Sequence, residues 1–215
     1  MFQDRTDAAK QLAIALEQYS GKNTVVLGIP RGGVEIAYHV ARHLNAAFSL
    51  VVIRKLGYPD NPEAAFGAIA EDGSIYLSRG ATNLLTDEEM DSVIRAEKRE
   101  ITRRVGILRD GKPLPDISGK TVIIVDDGIA TGATIFSAIS LCRKGNPLRL
   151  VVAAPIAGSG MKNQLIEKAD DGVILETPPF FYAVGQGYEN FENLTDDETA
   201  AFISSSKDDR KEDLR

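Results

Sequence analysis

The chain has 215 residues, 26% of them charged, and a formal net charge of −6. That length holds one α/β domain with a sizeable core, or a core with a small accessory lobe, and the acidic balance argues against a broad nucleic-acid surface. Its one cysteine excludes an internal disulfide, the opening MFQDRTDAAKQ is too polar for a signal peptide, and no apolar run reaches transmembrane length, so a cytoplasmic protein with no membrane partner is expected.

In chain order, residues 5–19 are expected to form a first helix, with Ala9, Leu12, Ala13 and Leu16 at helical spacing. TVVLGI (24–29) reads as a buried strand and GGVEIAYHVARHL (32–44) as the helix after it. FSLVVIRK (48–55) is a second strand, and LGYPDNPEAAF (56–66), with two prolines and a glycine, is expected to be a loop. GAIAEDGSIYL (67–77) reads as a hairpin turning at Asp72-Gly73. A long helix follows over 86–109, opened by a capping box of Thr86 and Glu89; its run RAEKREITRR alternates in charge and is expected to face solvent. Then come a loop (110–120), a strand (121–127), a helix (131–145), a strand (148–156), a helix (160–169) and a strand (171–177).

Continuous apolar strands separated by helices indicate a Rossmann-like α/β fold, a parallel sheet flanked by helices on both faces. The expected organisation is a core over 1–177, a small hood or lid segment with a terminal helix over 178–203, and a charged, disordered tail over 204–215. In the hood, Phe180, Phe181, Tyr182 and Tyr188 suit either a lid that stacks on a planar base or a small hydrophobic core.

The most informative stretch is VIIVDDGIATGAT (122–134). Ligands of open parallel sheets bind at the carboxyl ends of strands, and Asp126 and Asp127 stand at such an end. Adjacent carboxylates are costly to bury and accept hydrogen bonds without donating any, which suits a sugar diol or a cation. Gly128, Ile129, Ala130, Thr131, Gly132, Ala133 and Thr134 then open a helix whose unpaired amides and positive dipole end favour a phosphate. A solvated acidic turn before a capped helix accounts for Asp126, Asp127 and Thr131, but not for the whole run. A ligand such as ribose 5-phosphate satisfies both halves.

This stretch resembles the phosphoribosyl-pyrophosphate (PRPP) signature of type I phosphoribosyltransferases, and the order of elements is similar to that family over roughly residues 4–197. The resemblance implies the type I phosphoribosyltransferase fold and transfer of 5-phosphoribosyl from PRPP to a nitrogen base with release of pyrophosphate. It implies that Asp126 and Asp127 act on the ribose and that residues 128–134 hold the 5-phosphate. GIPRGGVEI (28–36) is a second backbone-rich anion cradle, and by resemblance Arg31, Gly32 and Gly33 bind pyrophosphate, with Arg31 also catalytic. Arg54 and Lys55 match the start of the family's mobile loop, with Lys55 catalytic. Mg²⁺ is expected to arrive with PRPP, Asp126 and Asp127 being its candidate protein ligands.

Two departures stand out. Beyond Lys55 the expected loop carries Asp60 and Glu63 and no Lys or Arg. Ala130 stands where hypoxanthine–guanine members carry an aspartate, which argues against a guanine-type proton relay. The alternative function is a non-catalytic PRPP or nucleotide sensor using the same pocket. Assembly into a homo-oligomer is left open. Arg79 is a further candidate for a phosphate. His39 and His43 share a helix face without an evident third metal ligand, and Cys142 is expected to be an inert core thiol.

Overall fold

The computed structural model describes residues 1–21, 23–78, 80 and 84–212. A five-stranded parallel sheet is built from β1 (Thr24–Gly28), β2 (Ala47–Leu50), β6 (Thr121–Val125), β7 (Arg149–Ile156) and β8 (Asp171–Glu176), in the order β2-β1-β6-β7-β8. The expected α/β class and the parallel sheet between helix layers are therefore present. Period-2 alternation sorts the strand residues into two cores. Val26, Ile123, Val125 and Val151 pack toward α1 (Arg5–Ala15) and α2 (Gly32–His43). Leu27, Val122, Ile124 and Val152 pack toward α4 (Ala133–Lys144) and α5 (Met161–Ile166).

The strand expected over 48–55 is two strands in two sheets. β2 ends at Leu50, and β3 (Ile53–Tyr58) joins an antiparallel sheet with β4 (Asn61–Ala70) and β5 (Ile75–Leu77). The change of partner is made by side chains. The Leu50 carbonyl accepts from Arg109 (2.9 Å), and the Val52 N–H donates to the Glu71 carboxylate (2.8 Å). An unbroken apolar run gives no sign that two sheets share it.

The loop expected over 56–66 is likewise the tip of a hairpin. Its proline and glycine signals mark irregularities within the ladder. The register shifts around Gly57, where a Cβ would lie 2.7 Å from the Pro62 carbonyl oxygen. Pro62 is tolerated in β4 because it lies beyond Gly67–Ile69, the residues that pair with β5. The second hairpin turns at Asp72-Gly73 as expected, with Gly73 at φ +84°.

α3 (Asp87–Arg109) begins with the expected capping box of Thr86 and Glu89. The charge run on it is not uniformly solvated. Arg104 is buried, Arg103 bonds Asp196 (2.6 Å), and Glu97 bonds Arg54 (2.7 Å). Alternating charges read alike whether they meet water or the charged face of another element. α6 (Asp196–Glu212) supplies that second element. It runs well past residue 203, into the segment expected to be a disordered tail. Its first turn is capped by Thr195 and Glu198 and anchored by buried Thr199 and Ile203, and helix propagates readily from such a nucleus.

The junction between the two sheets rests on a buried ion pair. Arg109 grips Glu71 with Nη2 to Oε1 at 2.6 Å and Nη1 to Oε2 at 3.0 Å, the two side chains being 6% and 10% exposed. Breaking a buried pair strands a charge. Glu71→Gln is therefore expected to destabilise the chain by about 3 kcal/mol, read from the urea midpoint. A loss below about 1 kcal/mol would place the junction's stability in its apolar packing instead.

Candidate active site

β1 and β6 are neighbours at the point where strand order reverses, β1 continuing to β2 on one side and β6 to β7 on the other. The loops leaving them cannot cross and so part, opening a cleft at the carboxyl edge. Its volume is about 900 Å³.

The β1 loop contributes Pro30, Arg31 and Gly32, with a cis peptide between Pro30 and Arg31. Arg31 is exposed. The β6 loop contributes Asp126 and Asp127, then Gly128, Ile129, Ala130, Thr131, Gly132 and Thr134. Gly132 caps α4 at φ +80°. The Phe136 N–H donates to the Gly132 carbonyl (2.9 Å) as the helix begins, so the amides of Ala133, Thr134 and Ile135 precede any intrahelical acceptor. Gly33 and Ala133 lie behind the cleft surface. A Cβ on Gly33 would sit 2.7 Å from the Val125 carbonyl oxygen, so this glycine serves close packing of α2 on β6.

From the hairpin, Arg54 and Lys55 also line the cleft. Arg54 is engaged by Glu97. Lys55 is exposed, and its charge acts on Asp126. The two residues lie within β3, past the end of β2, and reach the cleft because β3 turns back over it.

The acidic pair is asymmetric. Asp126 accepts the Asp127 N–H at 2.9 Å, and burial together with the neighbouring Asp127 charge holds its carboxyl well above the ordinary carboxylate range. Burial raises Asp127 as well, but Arg5 opposes the shift: Arg5 Nε lies 2.9 Å from Asp127 Oδ2. Arg5 is absent from the sequence-based site. Its one signal is electrostatic: a cation in the first turn of a helix stands against the macrodipole and calls for a partner elsewhere.

After β8 the chain returns over this edge. Val184 meets Gly128, where an added Cβ would fall 2.5 Å from Val184 Cγ1, and the Tyr188 hydroxyl donates to the Asp127 carbonyl (2.6 Å). The aromatic segment divides in two: one part packs as a small core and the other stays exposed. Tyr188 is core, packed on Phe2 and Phe191, whereas Phe180 and Tyr182 are 75% and 79% exposed, Tyr182 at the cleft.

The weaker candidates fall elsewhere. His39 packs against Tyr38 and Phe202, and burial lowers its pKa; His43 meets Glu17 at 3.2 Å. Among the described residues no group of three or more His, Cys, Asp or Glu could hold a metal ion. Cys142 is buried, its thiol pushed up to about 12 by desolvation. Arg79 lies outside the described residues.

The phosphoribosyl transferase domain family matches residues 3–186. The chain belongs to this family. Two Mycobacterium tuberculosis proteins, from strains CDC 1551 / Oshkosh and ATCC 25618 / H37Rv, each carry the name "Putative phosphoribosyl transferase". They are 45% identical to this chain over 213 residues, 97% of its length. The match spans 48% of each, so the chain covers about half the length of these curated relatives. The crystal structure of TT1426 from Thermus thermophilus superposes with a TM-score of 0.78 at 36% identity, covering 95% of this chain and 98% of that one. The fold expected of a phosphoribosyltransferase is thus the fold observed.

Gly32 is the tightest point of the cleft. A Cβ there would lie 1.8 Å from Asp127 Oδ2 and 2.6 Å from Arg5 Nε. Gly32→Ala is expected to lower stability by about 1–3 kcal/mol, the usual cost of overpacking. Gly106→Ala in α3, where an added Cβ meets nothing within 4 Å, should instead raise it by up to about 1 kcal/mol. Urea unfolding of the two variants checks both signs.

Proposed function

We propose that the cleft transfers the 5-phosphoribosyl group of PRPP to a nitrogen base and releases pyrophosphate. The observation that carries this reading is the placement of an acidic pair, an open helix N-terminus and the Arg31–Gly32 turn around one cleft between β1 and β6. Asp126 and Asp127 address the ribose, residues 128–134 the 5-phosphate, and Arg31, Gly32 and Lys55 the pyrophosphate. In the reaction, the bond from the anomeric carbon to the pyrophosphate oxygen breaks and a bond to the base nitrogen forms. Positive charge gathers on the sugar as the leaving group departs. The protein's contribution is then positioning and fixed charge: the carboxylates favour the cationic sugar, and Arg31 and Lys55 favour the anion that leaves.

The donor set suits Mg²⁺ carried in on the substrate, since that ion takes one or two carboxylates and completes its shell with phosphate oxygens and water. Bound there, it would neutralise pyrophosphate charge. The accepting base is unassigned; Ala130 in place of an aspartate favours a base that needs no proton relay from this loop. Among the described residues no helix is long and apolar enough to cross a membrane, and the lone, buried thiol supports a cytoplasmic setting.

Calorimetric titration with PRPP and Mg²⁺ tests the reading. Saturable, Mg²⁺-dependent binding is expected, and Asp126→Asn should weaken it roughly tenfold or more. Asp126→Asn is a cleaner variant than Asp127→Asn, because Asp127 also holds Arg5. Unchanged affinity would overturn the ribose assignment. A panel of bases scored by pyrophosphate release follows, and binding without release on any base would favour a sensor.

Arg31→Ala should depress turnover by roughly a hundredfold while altering ribose 5-phosphate binding far less. Equal loss of both would make Arg31 a structural residue.

A further inference from the structure

Arg5 brings together parts of the molecule that are remote in sequence. Its Nε donates to Asp127 Oδ2 at 2.9 Å, and its Nη1 donates to the Glu192 carbonyl at 2.7 Å. Its guanidinium lies over the Phe191 ring, 4.1 Å from the centroid. The side chain is 7% exposed, and it passes Gly32 with no room for a Cβ between them. The backbone around it follows the same course. The Phe2 N–H donates to the Gly187 carbonyl (2.8 Å), and the Phe2 carbonyl accepts from the Glu189 N–H (2.9 Å). Asp4 caps α1 by accepting the Asp7 N–H at 2.8 Å, which sets Arg5 as the first helical residue. The amino-terminal residues are thus laid along the segment that follows β8, with Arg5 aimed at the acidic pair.

We infer that Arg5 is a positioning residue of the cleft: it fixes the Asp127 carboxylate, leaving Asp126 as the carboxylate free to take the ribose, and it ties segment 188–194 to the acidic pair. This rests on the proposed PRPP reading for the ribose half alone. The tie to segment 188–194 stands on contacts within the chain.

The chemistry requires an arginine. Three demands converge on one side chain: a donor to a carboxylate, a second, diverging donor to a carbonyl, and a flat cationic face against an aromatic ring. A guanidinium meets all three and stays charged at every working pH. An ammonium is a point charge that meets the first and leaves the Glu192 carbonyl and the Phe191 face without their partner. The pair is directional as well. With Oδ2 committed to Arg5, Asp127 is held in one rotamer, whereas Asp126 accepts the adjacent backbone N–H and lies against the Asp127 carboxyl. The two carboxylates of the motif therefore meet the ligand differently: Asp127 with Oδ2 already committed to Arg5, and Asp126 with more of its acceptor capacity free.

The experiment is a double-mutant cycle on the full chain, with Arg5→Met, Asp127→Asn and the double variant, read as the Kd for PRPP with Mg²⁺. Arg5→Met is expected to weaken binding roughly tenfold or more, with Asp127→Asn adding little on top, as for two members of one interacting pair. Arg5→Lys should recover part of that loss. Losses that simply multiply around the cycle, or a lysine variant no better than methionine, would overturn the positioning role.

Amide exchange of residues 188–194 in the ligand-free protein tests the tie by itself. Arg5→Met should speed it roughly tenfold, with Arg5→Lys in between; unchanged exchange overturns the tie. If the unaltered chain fails to bind PRPP, the function reading fails and the exchange experiment still decides Arg5. If Arg5→Met does not fold, the lysine variant carries both measurements.

Discussion

The cleft is organised around the charge of two adjacent carboxylates at the end of a buried strand. β6 is covered on both faces and flanked on both edges, so Asp126 and Asp127 leave it half-buried at the wall of the cleft. Two ionised carboxylates in that setting require compensation. Asp127 finds a guanidinium, and Asp126 finds a backbone N–H and the nearby charge of Lys55. What remains uncompensated faces the cleft. In the proposed reaction that remainder of negative charge meets a sugar becoming positive, so the feature that costs stability in the empty site is the one the transition state uses.

The glycines follow from the same constraint. Compensation at Asp127 brings a carboxylate and a guanidinium against the first turn of α2, and Gly32 is where they fit. Gly33 lets α2 close on Val125 and Asp126, and Gly128 admits Val184 from the segment after β8. Each glycine removes a Cβ at a contact between elements that the sheet order forces together. They therefore serve packing at the cleft, and a single substitution will disturb the contact between two elements at once.

Much of this was legible in the chain itself. Continuous apolar strands alternating with helices gave the parallel sheet, and the small residues after Asp127 gave an open helix start at its carboxyl edge. Thr86 and Glu89 marked the start of α3. The failures share a cause: sequence patterns report local environment and not the partner. Residues 48–53 are largely apolar whether they serve one sheet or two. The charges of α3 look solvated until the acidic start of α6 is placed beside them. Arg5 sits 122 residues from its carboxylate, and no periodicity spans that distance. A cation at a helix N-terminus was the one local anomaly that pointed to it.

The hairpin changes how charge is shared across the proposed site. A loop expected to be free is a pair of strands clamped at its base by Arg109 and Glu71, and its first cation is committed to Glu97. Closure over a ligand would then be a movement of the hairpin as a unit, because the ladder from Ile53–Ala70 to Leu56–Gly67 resists local rearrangement. Arg54 would have to leave Glu97 to reach a pyrophosphate, whereas Lys55 is exposed at the cleft. In the proposed reaction, the leaving group's charge would then be met by Arg31 from the β1 loop and Lys55 from the hairpin. Glu97 holds Arg54 at the wall of the cleft, available only to a ligand that competes with a carboxylate for it.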